Sequence, residues 1–286
     1  MKRQEVVQDE GREFYLAIPG EQLVFPWEEK ISRGKTALWV PYQEVVKQGF
    51  SASVSWPEVL VSRDVIAVLK IISRFSQISL RDEVEDDPEK QQIIFYTAIV
   101  CKNHLLFYQR AGESTTKLPQ QTLGDARLRG RYSIGVGGHK TEDDILSVEG
   151  DLLDVAIPLV ANELKMMIGV NRGLLAEVEE EIGVTRTGFT KPPKILGAFM
   201  DRRKITPENP KYKNPIGFVH LALPTIVELD PEKTKRLRFF EREITWAGWY
   251  PLEQAGLKLE ELMSSPYGVD PWTEVFIREF LSNFSG

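Results

Sequence analysis

Residues Ile93–Cys101, broken only by Thr97, are a nearly unbroken apolar run rich in Ile, Val, Phe and Tyr. A strand of this kind carries apolar side chains on both faces, so its sheet must be covered above and below. Lys102-Asn103-His104 then turns the chain into Leu105–Gln109, which makes the two runs a hairpin. Further strands are expected at Thr36–Tyr42, ended by Pro41, and at Arg131–Val136, Ile195–Phe199, Ile216–Leu223 and Ile226–Leu229. Helical spacing runs through Trp56–Phe75, from about Leu152 to Glu181, and through Leu257–Leu262 and Val275–Phe284. Helices alternating with strands, with hairpins among the strands, predict an α/β domain with a mixed sheet.

The chain has 286 residues, which allows one large domain or a domain with a sizeable extension. The acidic run Arg81–Pro88 reads as a solvated linker or domain edge, so residues 1–90 are expected to form an N-terminal extension packed on a main domain of 91–286. The 36 basic residues against 42 acidic ones give a net charge of -6, which argues against bulk attraction to nucleic acid or an anionic membrane. One cysteine, Cys101, excludes an internal disulfide and a cysteine-based zinc site. With three histidines, a metal would have to be held by carboxylates, and so would be a hard ion such as Mg²⁺ or Mn²⁺. The N-terminus is charged, and no apolar stretch approaches the roughly 20 residues that span a bilayer; a soluble cytoplasmic protein is the expectation.

Chemistry concentrates in Leu174–Val184, LLAEVEEEIGV. At about 100° per residue, Leu174, Val178 and Ile182 share one arc and face a core. Glu177, Glu180 and Glu181 then fall on a neighbouring arc about 100° wide, while Glu179 points away. Like charges at i and i+4 repel, and the last turn before Gly183 disfavours anions through the helix dipole. Two local rules broken in one place suggest a functional site, and a divalent cation would relieve the repulsion. An acidic helix end facing water is the plain alternative.

A second segment, Leu128–Lys140 (LRGRYSIGVGGHK), has four glycines within nine residues, which implies tight turns or close approach to a ligand. It matches neither a Walker A loop nor a dinucleotide fingerprint. Arg127, Arg129 and Arg131 alternate, so an extended chain would place them on one side, to bind phosphate or to line a solvated edge. His139 contacts a phosphate or holds the loop, and His220 suits the core. Glu243, just before Trp246-Ala247-Gly248-Trp249, is a candidate further ligand or base, and the two tryptophans stack a base or are simply buried. Asp201-Arg202-Arg203-Lys204 through Lys213 reads as a loop, over the site or exposed.

Together the two segments resemble the Nudix hydrolases. A Gly-Gly strand end followed by a helix ending in R-E-x-x-E-E-x-G is the Nudix box, and Ala176–Gly183 matches that ending except that Ala176 replaces the Arg. The similarity extends, within a Nudix-like branch of predicted phosphoesterases, to Lys35–Tyr42, Val84–Ala98, Arg127–His139, Asn214–Leu221 and Glu243–Leu252. The resemblance implies an α/β/α sandwich that hydrolyses a nucleoside diphosphate derivative with Mg²⁺ or Mn²⁺. By the same resemblance Glu177, Glu180 and Glu181 are metal ligands and catalytic residues, and Glu243 a candidate base. Gly137, Gly138, His139, Arg127, Arg129 and Arg131 would meet the substrate. The family often dimerises, so a homodimer is an open expectation. Besides Ala176, an insertion from Ile145 to about Arg172 splits the box, with Arg172 a candidate substitute for the missing charge. A rival reading keeps the fold but makes it a nucleotide-sensing or regulatory module that has lost catalysis.

Overall fold

The computed structural model describes residues 7–8, 14–16, 36–112, 128–138, 178, 188–203, 216–234 and 244–281. Among them the strands are β1 (Val7–Gln8), β2 (Phe14–Leu16), β3 (Thr36–Pro41), β4 (Ser51–Ala52), β5 (Val59–Ser62), β6 (Gln77–Leu80) and β7 (Lys90–Cys101). They continue with β8 (His104–Arg110), β9 (Tyr132–Ser133), β10 (Gly135–Val136), β11 (Lys194–Ile195), β12 (Ala198–Asp201), β13 (His220–Glu228) and β14 (Ile244–Pro251). The helices are α1 (Tyr42–Lys47), α2 (Val65–Phe75), α3 (Arg81–Val84), α4 (Pro231–Thr234), α5 (Ala255–Met263) and α6 (Pro271–Val275), the last running on into a wider turn at Phe276–Leu281.

These strands form one mixed sheet in the order β1-β2-β14-β8-β7-β13-β12-β5-β4. β7 is its spine. Along one edge it pairs in parallel with β13 from Gln92↔His220 to Val100↔Glu228. Along the other it meets three antiparallel partners in turn: β8 at Val100 and Cys101, β10 at Thr97 and Ala98, and β3 at Lys90–Gln92. The hairpin to β8 turns on Lys102 and Asn103, both at positive φ (46° and 61°). That is the twist of a tight two-residue hairpin.

Every β7 residue from Gln91 to Cys101 is buried, as a strand covered on both sides requires. Ile93, Phe95, Ile99 and Cys101 join a core with Val68, Ile71 and Ile72 of α2. Ile94, Tyr96, Ala98 and Val100 face the opposite way, into a core built by Leu259 and Leu262 of α5, Trp272 of α6, and Phe276 and Phe280 beyond it. The layers are therefore helix, mixed sheet and helix, as the sequence predicts.

Four expectations need correction. The apolar spacing of Trp56–Phe75 is not one helix: Val59–Ser62 is β5, paired with β12, and the helix starts at Val65 behind the Asp64 cap on the Ala67 N–H (3.0 Å). A four-residue apolar stretch satisfies both periods, and the cap sets the boundary. The acidic run is not a linker. α3 lies within it, Val84 is fully buried against Ala37 and Trp39, and the charges pair locally as Arg81–Glu85 (3.0 Å) and Lys90–Asp87 (3.4 Å). The predicted strands Ile216–Leu223 and Ile226–Leu229 are instead a 3₁₀ turn, Ile216–Val219, followed by the single strand β13 with Pro224 inside it. Pro224 turns its carbonyl toward Leu196 N–H (2.8 Å), at the gap between β11 and β12 where no ladder donor is required. Finally, the expected strand Arg131–Val136 is two short strands of opposite direction, β9 on β8 and β10 on β7, and it follows a turn at Leu128–Gly130 with Gly130 at φ 74°. Of the expected helix from Leu152 to Glu181, the described residue Val178 is helical and fully buried in the α2-side core.

Candidate functional site

The glycine-rich segment is the one sequence-predicted site element that the described residues show at length. It leaves the Leu128–Gly130 turn, pairs with β8 through β9, and then shifts onto β7 through β10. Its glycines are required by the chain itself. A Cβ on Gly137 would stand 1.9 Å from the Phe95 carbonyl oxygen, and one on Gly135 would stand 2.2 Å from the Tyr96 ring. The Phe95 N–H donates to Gly138 O (3.2 Å), fastening the segment's end to β7. The sequence left tight turns or approach to a ligand open; for Gly135 and Gly137 the close neighbour is instead β7 itself.

Beneath the segment lies a buried polar knot. The Tyr96 hydroxyl donates to Asp270 Oδ2 (2.7 Å) and sits 2.6 Å from Thr273 Oγ1 and 3.0 Å from Ser133 Oγ. Asp270 also caps α6 by accepting the Thr273 N–H (2.8 Å), with Pro271 at the first helical position. Thr273 Oγ1 accepts the Ile134 N–H (3.0 Å), and Ser133 Oγ accepts the Gly135 N–H (3.3 Å). Tyr108 donates to the Gly135 carbonyl (2.5 Å). Burial, followed by the nearby Asp270 charge, pushes the Tyr96 hydroxyl well above its ordinary range. It stays a neutral donor, and the knot locks the segment between sheet and α6. The expected helix begins at Val275 and misses the Asp270-Pro271 start that could have marked it; its partner Tyr96, more than a hundred residues earlier, carries no sequence signal.

Of the predicted substrate residues, Arg129, Arg131, Gly137 and Gly138 lie among the described ones. Gly137 and Gly138 lie at the β7 end of the segment and Arg131 at its start, where the guanidinium donates to Val269 O (3.1 Å). β9 runs antiparallel to β8 and β10 antiparallel to β7, so the chain reverses between them and leaves Arg131 beside β8 and Gly137 beside β7. Arg129, in the turn, belongs with Arg131. His220 is buried with its ring 5.3 Å from Trp272, as expected of a core histidine. Trp249 is buried, and Trp246 packs edge-on to Tyr132 at 5.7 Å. Glu177, Glu180, Glu181, Glu243, His139 and Arg127 lie outside the described residues. Among the described residues no group of three or more His, Cys, Asp or Glu side chains is placed to hold a metal ion.

Asp201–Arg203, expected as part of a loop, instead enters the protein body. Asp201 ends β12, and Arg203 Nε and Nη2 grip its carboxylate at 2.9 and 2.8 Å. Arg203 Nη1 reaches Glu274 on α6 (2.8 Å), and its guanidinium lies 4.2 Å from the Trp56 ring centroid. Burial alone would lower the Arg203 pKa, but Asp201 and Glu274 outweigh it and hold it raised. Arg202 turns the other way. Its guanidinium carbon lies 4.3 Å from the Tyr42 ring centroid and 4.9 Å from that of Phe218, and Nη1 donates to Pro88 O (3.3 Å) and Phe218 O (3.5 Å). Neither arginine had a sequence signal beyond its charge.

No helix among the described residues is long and apolar enough to cross a membrane. No family model and no curated protein matches the chain. Among solved structures it is similar to Tm1382, described as a candidate Nudix hydrolase, at 19% identity and a TM-score of 0.48, over 84% of this chain and 95% of that one.

Proposed function

We propose that the chain is a metal-dependent hydrolase of phosphoanhydride bonds in a nucleoside diphosphate derivative, with residues 1–90 an extension packed on the catalytic domain of 91–286. The observation that supports it most directly is the full burial of helical Val178 in the same core as Val136 of the glycine-rich segment. On a regular helix with Val178 inward, Glu177, Glu180 and Glu181 fall about 60–160° to one side of it, at a single flank. A set of carboxylate donors suits Mg²⁺ or Mn²⁺. Such an ion, when bound, would neutralise phosphate oxygens and lower the pKa of the attacking water.

The chain's own residues then divide the work. Glu177, Glu180 and Glu181 hold the cation, and one of them, or Glu243 from ahead of β14, removes the proton from water. Gly137, Gly138, His139, Arg127, Arg129 and Arg131 meet the substrate. A cytoplasmic location accompanies this reading. The test is release of phosphate or pyrophosphate from a panel of nucleoside diphosphate and triphosphate derivatives with Mg²⁺ or Mn²⁺, for wild type and Glu180→Gln. Metal-dependent turnover that collapses at least a hundredfold in Glu180→Gln, a typical loss for a catalytic proton-transfer group, is expected. Nucleotide binding without turnover on any compound would instead favour the sensing module, for which Ala176 in place of the box Arg is the supporting feature.

A further inference from the structure

We propose that Arg202 is a preformed receptor for a phosphate group, bound two oxygens at a time by the Nε–Nη2 edge of its guanidinium. Two adjacent arginines make the case by contrast. Arg203 uses that edge to grip the Asp201 carboxylate and spends Nη1 on Glu274. Arg202 has no carboxylate partner among the described residues, and its hydrogen bonds go from Nη1 to the Pro88 and Phe218 carbonyls. The residue is only partly buried, and neither Nε nor Nη2 makes a hydrogen bond to the described residues. The forked edge that matches a phosphate or carboxylate therefore has no partner among the described residues.

The group is also held still. Tyr42 from α1 and Phe218 from the turn before β13 both carry the guanidinium over their rings. The Pro88 and Phe218 carbonyls are themselves anchored by the buried Gln91 amide, at 2.7 and 3.0 Å. The backbone of Arg202 is fixed by its N–H to Glu58 O (3.1 Å). A long side chain ordinarily loses rotamer freedom on binding an anion; here that loss has been taken in folding. The site lies at the end of the sheet where β7 and β13 begin, about four residues or roughly 13 Å along β7 from Phe95 and the Gly138 contact. That spacing fits the far phosphate or a phosphorylated arm of a substrate whose anhydride lies at the glycine-rich segment. The choice of phosphate over carboxylate rests on the hydrolase reading; the fork itself does not.

The experiment is calorimetric titration of the full chain with inorganic pyrophosphate in EDTA, so that no divalent ion contributes, for wild type, Arg202→Lys and Phe218→Leu. Wild type is expected to bind. Arg202→Lys, which keeps the charge but loses the fork, is expected to bind at least about tenfold more weakly. Phe218→Leu, which strips one covering ring, is expected to weaken binding severalfold and serves alone if Arg202→Lys loses its native circular dichroism. No binding by wild type, unchanged affinity in the folded variants, or equal binding of malonate would overturn the proposal. Because no turnover is read, pyrophosphate binding in a chain that hydrolyses nothing would remove the hydrolase reading and leave this site standing.

Discussion

Replacing Gly137 with alanine puts a methyl group where the fold has none to spare. The new Cβ would lie 1.9 Å from the Phe95 oxygen and 3.0 Å from its carbonyl carbon, whereas ordinary contact begins near 3.4 Å. The segment must therefore withdraw by about 1.5 Å, and both atoms it strikes belong to the backbone of the central strand, which cannot rotate aside. Gly137 is exposed, so the way out is toward solvent, at the loss of the 3.2 Å bond from the buried Phe95 N–H to Gly138 O. Strain of this kind costs about 1–3 kcal/mol and an orphaned buried N–H about as much again. The sum is about 4 kcal/mol, or roughly 10 °C in melting temperature for a domain of this size. Gly256→Ala is the matched control. Nothing lies within 4 Å of its Cβ position, near the start of α5, so alanine there should stabilise by about 0.4–1 kcal/mol. Thermal and urea unfolding of both variants decide the matter. A Gly137→Ala protein melting within two degrees or so of wild type would show that the segment is not clamped to β7 as described.

Arg203→Met keeps the aliphatic stem beside Trp56 but leaves Asp201 and Glu274 facing each other, with side chains 2% and 13% exposed. Removing one partner of a buried pair costs about 3–5 kcal/mol by urea denaturation, and adding Asp201→Asn should recover part of it; a loss below about 1 kcal/mol would contradict the burial. Tyr96, Tyr132 and Lys258 all have pKa values raised by the fold, Tyr96 and Tyr132 chiefly by burial, and Lys258 by Glu261 and Tyr250 against an opposing burial effect. The sign is the same for all three: each binds its proton more firmly folded than unfolded, so stability holds below the unfolded pKa and falls as pH rises beyond about 10. Melting temperatures from pH 8 to 11 should show that fall, and Tyr96→Phe, though less stable at pH 8, should show a shallower one. An unchanged slope would mean that the hydroxyl is not sealed in.

The parts of the fold legible in the sequence were those where a single physical requirement dominated. The β7 run is apolar on both faces, which a layered sheet alone can absorb, and Lys102-Asn103 sits between two such runs. Where two requirements compete over a few residues the reading fails. Val59–Ser62 satisfies strand and helix periods at once until β12 chooses. Pro224 argues for a break unless one knows that its edge of β13 faces a gap. At the site, periodicity turned Val178 inward correctly, because burial of one valine depends only on helical phase. Tyr96 with Asp270, and the division of labour between Arg202 and Arg203, depend on which segments meet. Local pattern carries no information about that.

The parallel register of β7 with β13 has a consequence for how the chain is made. The two strands are separated by roughly 130 residues, and contacts so distant in sequence are slow to form. During synthesis at about 5–20 residues per second, β7 would wait some 6–25 seconds before its partner exists. Through that interval this apolar strand has a bare edge, primed to pair with any other chain that offers one. The β8 hairpin and β10 can protect only the opposite edge in the meantime. Newly made chains should therefore depend on chaperone cover until about residue 228 has emerged, and truncations ending before β13 should aggregate rather than fold.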